Sequence, residues 1–205
     1  MSIVRLSLLL TALPHASTES YVVYNPVTHT SAPPPRALGS AVLQHTVSNT
    51  AALGRYIWYF GGLNAALNPL NDLWRLDMQT NVWASQSPGG PEPIARRGAS
   101  LVLAEQRNAY LFGGETGSRQ KLNDLFVLRV GSGAGATPVW EDITTNATGV
   151  RPAARTEHTA TIANLAMLPG SPHGMLLFGG KDGSGVALAD LHAFTFSTMT
   201  WTPLG

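Results

Sequence analysis

The sequence predicts an all-β chain made of a repeated unit of four short strands, and three observations carry that prediction. The first is a recurring pair of motifs. Phe60-Gly61-Gly62 precedes Asn71-Asp72-Leu73, Phe112-Gly113-Gly114 precedes Asn123-Asp124-Leu125, and Phe178-Gly179-Gly180 precedes Ala189-Asp190-Leu191. In each copy the residue before the aspartate follows the phenylalanine by 11 positions, although the copies themselves stand 52 and then 66 residues apart. The second is composition: charged residues are 12% of the chain, about half the usual share, while 21 glycines and 14 prolines favour short strands and many turns over salt-bridged helices. The third is that each Gly-Gly ends an apolar run of strand length, such as Tyr56-Ile57-Trp58-Tyr59-Phe60.

Taken in order, the chain opens with Arg5, the apolar run 6–13 and then Pro14-His15-Ala16-Ser17. This segment admits two readings. It has the basic, apolar and small-residue regions of a secretory signal. It also aligns Leu8-Leu9-Leu10 with Phe60-Gly61-Gly62, which would make residues 1–20 a degraded strand of an earlier repeat. Tyr21 to Asn25 reads as a strand stopped by Pro26, which cannot donate to a central ladder. Residues 21–35 are therefore expected to be a partial, eroded copy.

The three fuller copies are expected at about 36–87, 96–145 and 155–203. In the first, Arg36 leads into Ser40-Ala41-Val42-Leu43, the polar insertion 44–54 follows, and the apolar run reaches Gly61-Gly62. Two glycines at a strand end permit positive φ or a close backbone approach. Asp72 is expected to cap the turn at the next strand's start. Residues 73–77, a turn at 78–81 and Val82-Trp83-Ala84 complete the unit. The second copy repeats the order from Arg96 to Trp140, with five extra residues in the glycine-rich stretch 131–136. That stretch formally fits a dinucleotide-binding glycine pattern, but Thr137-Pro138-Val139-Trp140 continues as strand and no helix N-terminus is available for a pyrophosphate. The third copy runs from Arg155 to Trp201, and its insertion 164–174 sits where 44–54 sits in the first. Two long loops at equivalent corners should emerge on one face.

A formal net charge of +1 without like-charge runs gives no field to gather nucleic acid or anionic lipid. With no cysteine, thiolate metal sites and cysteine nucleophiles are excluded, while the compartment stays open between cytoplasm and secretion. No run of 18 apolar residues exists that could span a membrane as a helix.

Four short strands per copy, Gly-Gly after an apolar strand, an Asp-Leu strand start and a tryptophan some dozen residues later (Trp83, Trp140, Trp201) resemble the kelch repeat, across most of residues 21–203. The resemblance implies a kelch-type β-propeller, here with three full four-stranded blades and one incomplete N-terminal blade, a partial or small propeller. Closed propellers of that family usually have more blades. An unclosed arc would leave apolar faces in water, so the expected alternatives, in order, are a truncated propeller, a four-bladed ring, and self-association of two copies that buries the open blade faces.

The candidate chemistry is sparse. Glu157-His158 has the residue types of an acid/base pair, yet it occupies the strand opening that Gly98-Ala99 occupies in the previous copy, and it reads as structural. The six histidines show no metal-ligand spacing. Asp72, Asp124 and Asp190 read as turn caps rather than a carboxylate ring, and the recurring tryptophans as packing groups rather than sugar platforms. Resemblance to copper-radical galactose oxidases fails for want of the cysteine their cross-link requires, and no spaced Glu, Asp and His set of the iron-dependent specifier proteins is present. A sialic-acid epimerase-like activity has nothing in the sequence pointing to it. No cofactor and no catalytic residue is expected. In BTB-kelch adaptors, arginines at the equivalent strand opening face the ligand. The resemblance thus makes Arg36, Arg96, Arg97 and Arg155 the candidate partner-binding residues, with 44–54 and 164–174 as additions; each arginine could equally bond a neighbouring carboxylate or carbonyl. The expectation is a non-catalytic scaffold or adaptor for a protein partner. The alternatives are a secreted carbohydrate-binding or carbohydrate-active protein, for which Asn146-Ala147-Thr148 is a weak glycosylation signal, and a truncated propeller fragment.

Overall fold

The computed structural model describes residues 32–44, 56–104, 107–131, 136–165 and 173–204. The N-terminal segment 1–20, the strand expected at Tyr21 to Asn25 and most of both long insertions lie outside the described residues. Within them the chain is all-β. Strands β1 (Ser40–Gln44), β2 (Tyr56–Leu63), β3 (Pro69–Asp77) and β4 (Val82–Gln86) form one antiparallel sheet in sequence order. Strands β5 (Ser100–Ala104), β6 (Asn108–Glu115), β7 (Lys121–Arg129) and β8 (Val139–Asp142) form the second. The third joins β10 (Thr159–Asn164), β11 (His173–Phe178), β12 (Leu191–Thr195) and β13 (Thr200–Pro203), with the two-residue β9 (Thr148–Gly149) added in parallel outside β13. The first strands pack side by side, β1 on β5 and β5 on β10, so the sheets radiate as the blades of a β-propeller.

The second blade is apolar on both faces because it is sandwiched between the other two. Trp58, Phe60 and Leu73 of the first blade meet Leu101, Leu111, Leu128 and Trp140 of the second. Val102, Phe112, Leu125, Val127 and Ile143 on the opposite face of the second blade meet Met175, Leu177, Phe194 and Trp201 of the third. Alternation along a strand sends neighbouring side chains to opposite faces, which is why Leu111 and Phe112 belong to different cores. The expected packing role of the tryptophans holds at Trp140 and Trp201. Trp140 lies 5.2 Å from Phe60 edge to face, and Trp201 lies 5.1 Å from Phe112 at a tilt, each reaching the preceding blade.

Both reasons for the Gly-Gly pairs are realised. Gly61 and Gly62 have φ of 64° and 95°, Gly113 and Gly114 63° and 103°, and the strand pairing slips across both pairs as a bulge. A Cβ on Gly61 would lie 2.9 Å from the carbonyl oxygens of Arg96 and Leu70.

A second glycine pair was not foreseen. The linker before each new blade runs along that blade's outermost strand. Gly89 exchanges hydrogen bonds with the β8 backbone, and β9 does the same with β13. Gly90 (φ 81°) and Gly149 (φ 78°) make the contact: a Cβ on either would stand 2.1 Å from the carbonyl oxygen of Trp140 or Trp201. Gly149→Ala should therefore lower the unfolding free energy by about 2 kcal/mol through positive φ and a backbone clash. Urea denaturation checks this against Gly183→Ala, an open position that should change the midpoint far less.

Candidate functional site

The arginines expected at the binding face have a different occupation. Arg155 is fully buried. Its side chain donates from Nε to the carbonyl of Ala153 (3.0 Å), from Nη1 to the carbonyl of Gly179 (3.0 Å) and to Asp190 Oδ1 (2.6 Å), and from Nη2 to Asp190 Oδ2 (2.7 Å). Arg96 repeats the set on Ile94, Gly113 and Asp124, and Arg36 repeats it on Pro34, Gly61 and Asp72. Their side chains are only 5%, 1% and 0% exposed at Arg36, Arg96 and Arg155. With both guanidinium edges occupied, these three offer no open fork for a ligand carboxylate. The aspartates expected to cap turns are the other half of this arrangement: both oxygens of each receive the guanidinium.

The main chain of the same arginines bonds the preceding blade. Arg96 N donates to Leu70 O and Arg96 O accepts from Gly62 N, both at 3.0 Å; Arg155 N donates to Leu122 O at 2.9 Å and Arg155 O accepts from Gly114 N at 2.8 Å. Arg96 and Arg155 thus each fasten two blades, one by backbone and one by side chain.

Around this lattice the Asp190 and Asp72 carboxyls have lowered pKa values. Hydrogen bonds from Arg155 hold Asp190 well below the ordinary carboxylate range, with His192 adding to the effect against the opposing pull of burial. At Asp72, burial alone would raise the pKa, but the bonds from Arg36 and from Trp74 Nε1 prevail and lower it. Glu157 and His158, the pair with acid/base residue types, are separated by burial. Glu157 is exposed and paired with Lys181 at 2.6 Å. His158 is buried against Phe112 with its Nε2 2.9 Å from Ser100 Oγ of the neighbouring blade. It serves as an inter-blade contact.

What remains accessible is the end of the propeller where the Gly-Gly pairs and the arginine linkers meet. Three hairpins of one geometry project there, between β2 and β3, β6 and β7, and β11 and β12. Asn64 N bonds Asn68 O, Thr116 N bonds Gln120 O, and Asp182 N bonds Val186 O. The residue three past each start has positive φ: Leu67 (61°), Arg119 (65°) and Gly185 (81°). The Asn64 and Asp182 side chains hold their turns by accepting from two backbone amides each. The backbone is fixed while the tip residues 65–68, 117–120 and 183–186 are exposed and unlike one another.

At the feet of the hairpins stands a charged group. Arg97, 30% exposed, donates to Glu115 Oε1 at 2.8 Å, and Lys121 donates to Glu115 Oε2 at 2.6 Å. Burial alone would raise the Glu115 pKa, but these two bonds lower it. Of the four arginines singled out from sequence, Arg97 alone has its guanidinium on this rim. Gln44 pairs with Tyr56 and Asn164 with His173 at the opposite ends of their strands from Gly62 and Gly180, so the insertions 44–54 and 164–174, which lie mostly outside the described residues, leave from strand ends away from this rim. The hairpin tips are the surface that sequence reasoning passed over; the signal was the constant 11-residue interval itself, which leaves a loop of fixed size with variable content.

Burial, reinforced by the Arg155 charge, brings the His158 pKa down to about 4 from the usual 6.5. Because the unfolded chain takes up the proton first, stability is full above about pH 6.5 and is lost as pH falls through the window down to 4. Between pH 7 and pH 5 the unfolding free energy should drop by about 2 kcal/mol from this residue. Equilibrium unfolding of His158→Gln beside the parent, at both pH values, should show that loss only in the parent.

The sequence pattern of the KLHDC2/KLHL20/DRC7 Kelch-repeats domain matches residues 11–168 and 44–205. Similar curated proteins include the flagellar outer-arm dynein alpha chain of Chlamydomonas reinhardtii, 29% identical over 83% of this chain and 4% of its own length. The host cell factor homolog hcf-1 of Caenorhabditis elegans is 30% identical over 83% of this chain and 22% of its own. Acyl-CoA-binding domain-containing protein 4 of Arabidopsis thaliana is 30% identical over 62% of this chain and 16% of its own. The chain thus spans less than a quarter of the length of each of these relatives.

Proposed function

Because the chain belongs to the kelch-repeat family, we propose that it is a protein-binding scaffold whose contact surface is the hairpin end of the propeller. The observation that carries the reading is the set of three hairpins with one backbone and three different tips. Such a surface can change its side chains without cost to the blades beneath. Arg97, Lys121 and Glu115 at the second hairpin, Arg119 at its tip, and Glu157 with Lys181 at the third give it paired charges of both signs. That suits a polypeptide partner with matching charges better than a uniformly charged polymer.

The titratable groups that converge here are bonded to one another, Glu115 to Arg97 and Lys121 and Glu157 to Lys181, and the strongly shifted His158 is enclosed between blades. The propeller supplies rigidity and the tips supply recognition, and Arg36, Arg96 and Arg155 contribute by holding the hairpin feet.

The test is affinity capture from cells of the source organism, comparing the parent chain with Arg119→Glu/Lys181→Glu. Both side chains are exposed, so the double variant should keep its melting temperature within a few degrees while its main captured protein falls at least tenfold. Undiminished capture would remove the hairpin end as the contact surface.

A further inference from the structure

At the end of the propeller opposite the hairpins, a cleft of about 310 Å³ opens between the second and third blades, within the size range of small-ligand sites. Register fixes its place: Asn108, which pairs with Arg129, stands at the strand end away from Gly113 and Gly114. The inner wall belongs to the apolar contact between the two blades. Tyr110 reaches across to Phe196 in the turn between β12 and β13, ring centroids 4.5 Å apart and 28° from parallel, with buried Ile143 and half-buried Met199 beside them. The space is a matter of side-chain size. In the gap between the first and second blades the equivalent positions carry Tyr56 and Arg75, whose guanidinium carbon lies 4.5 Å over the tyrosine ring. Counted from Phe112 and Leu125 in the same way, the second blade has Asn108 and Val127 there, and the shorter pair leaves the volume open.

The mouth of the cleft is polar and carries no net charge. Arg129 donates to Glu141 Oε2 from Nε at 2.8 Å and from Nη2 at 2.6 Å, and to Asn108 Oδ1 from Nη1 at 3.4 Å. Among the described residues no bond reaches Glu141 Oε1, and none leaves the amide nitrogen of Asn108 or of Asn146. One acceptor and two amide donors therefore face the same space unused. The ligand that suits them has groups that both give and accept hydrogen bonds, an apolar face for the inner wall, and no charge, because Arg129 and Glu141 already neutralise each other. A phosphate or carboxylate would meet a guanidinium that is occupied. An extended peptide would find the nearest strand edges taken, since Gly89 bonds β8 at Trp140 and β9 pairs with β13. A pyranose ring meets all three demands, with C–H groups on a face, hydroxyls around its edge and no charge.

We propose that this cleft binds a neutral pyranose sugar. The C–H face of the ring rests on Tyr110, Phe196 and Met199, where apolar area leaves water. One hydroxyl donates to Glu141 Oε1, and others accept from the amide nitrogens of Asn108 and Asn146. Arg129 is a positioning residue that holds Glu141 and Asn108 in place. Both walls of the cleft belong to described blades, and it lies at the opposite end from the hairpins, so the site is independent of what the hairpin end captures.

The test is proton–nitrogen correlation NMR of the full chain, titrated separately with glucose, galactose, mannose and N-acetylglucosamine to about 50 mM, some fifty times a dissociation constant of about 1 mM. At least one sugar should move the side-chain amide signals of Asn108 and Asn146 and the Nε signal of Arg129 along a saturating curve. Glycerol, which has hydroxyls without a ring face, and N-acetylalanine methylamide, a neutral peptide unit, should leave them in place. Glu141→Ala and Asn146→Ala, at side chains open to solvent, should each weaken the sugar at least about fivefold while the melting temperature stays within a few degrees. The proposal is overturned if no sugar moves these signals, if the movement grows without saturating, or if the peptide unit moves them as far as the sugars do. It is overturned equally if both variants bind the sugar as the parent does, or if the shifts centre on Arg119 and Gly183 at the hairpin end.

Discussion

The structure depends on one repeated interaction: a buried arginine whose main chain pairs with one blade and whose guanidinium is locked in the next. Burying a guanidinium is costly, and the cost is met only when its donors and the facing carboxylate are all satisfied. Here the carbonyl two residues back, the first Gly-Gly carbonyl and both aspartate oxygens do so, three times in the same geometry. The fork shape of arginine is essential, since an ammonium could not engage two carboxylate oxygens and two separate carbonyls at once.

From this constraint the other features follow. The second linker hydrogen bond requires the Gly-Gly bulge, because a side chain there would strike the arginine carbonyl. The linker must also lie flat on the outermost strand, which Gly90 and Gly149 permit. Once the blades are fixed in register, the apolar faces between them close. The hairpin tips are the part of each repeat that the arginine does not constrain, and that freedom is the basis for proposing them as the contact surface.

Much of this was legible in the sequence. Phe, Gly-Gly and Asp-Leu recur at a fixed interval because the hairpin between the second and third strands has one length from phenylalanine to aspartate in every copy. The bonding of the arginines to carboxylates and carbonyls was one of two readings the sequence left open, and which aspartate each would take was not legible, for a geometric reason. Arg36 and Asp72 are 36 residues apart, Arg96 and Asp124 are 28, and Arg155 and Asp190 are 35, since insertions between the first two strands alter the count without altering the contact. A pair separated by a variable loop has no fixed spacing to read. The insertions were added to the arginine surface because they occupy equivalent corners of two repeats, whereas the strand ends they leave from stand a strand's length from the Gly-Gly end. The six-residue interval from Gly90 to Arg96 and from Gly149 to Arg155 was present all along, but one of its three copies has lost the glycine, Thr30 standing before Arg36.

The most direct measurement is amide hydrogen exchange in Arg155→Lys. If the arginine side chain in the third blade controls the backbone bond to the second, the Gly114 amide, which donates to the carbonyl of residue 155, should exchange at least about tenfold faster, a loss near 1.4 kcal/mol. Gly62, held by Arg96, should keep its protection. Equal protection at Gly114 in parent and variant would contradict the account, because the two halves of the arginine would then be acting independently.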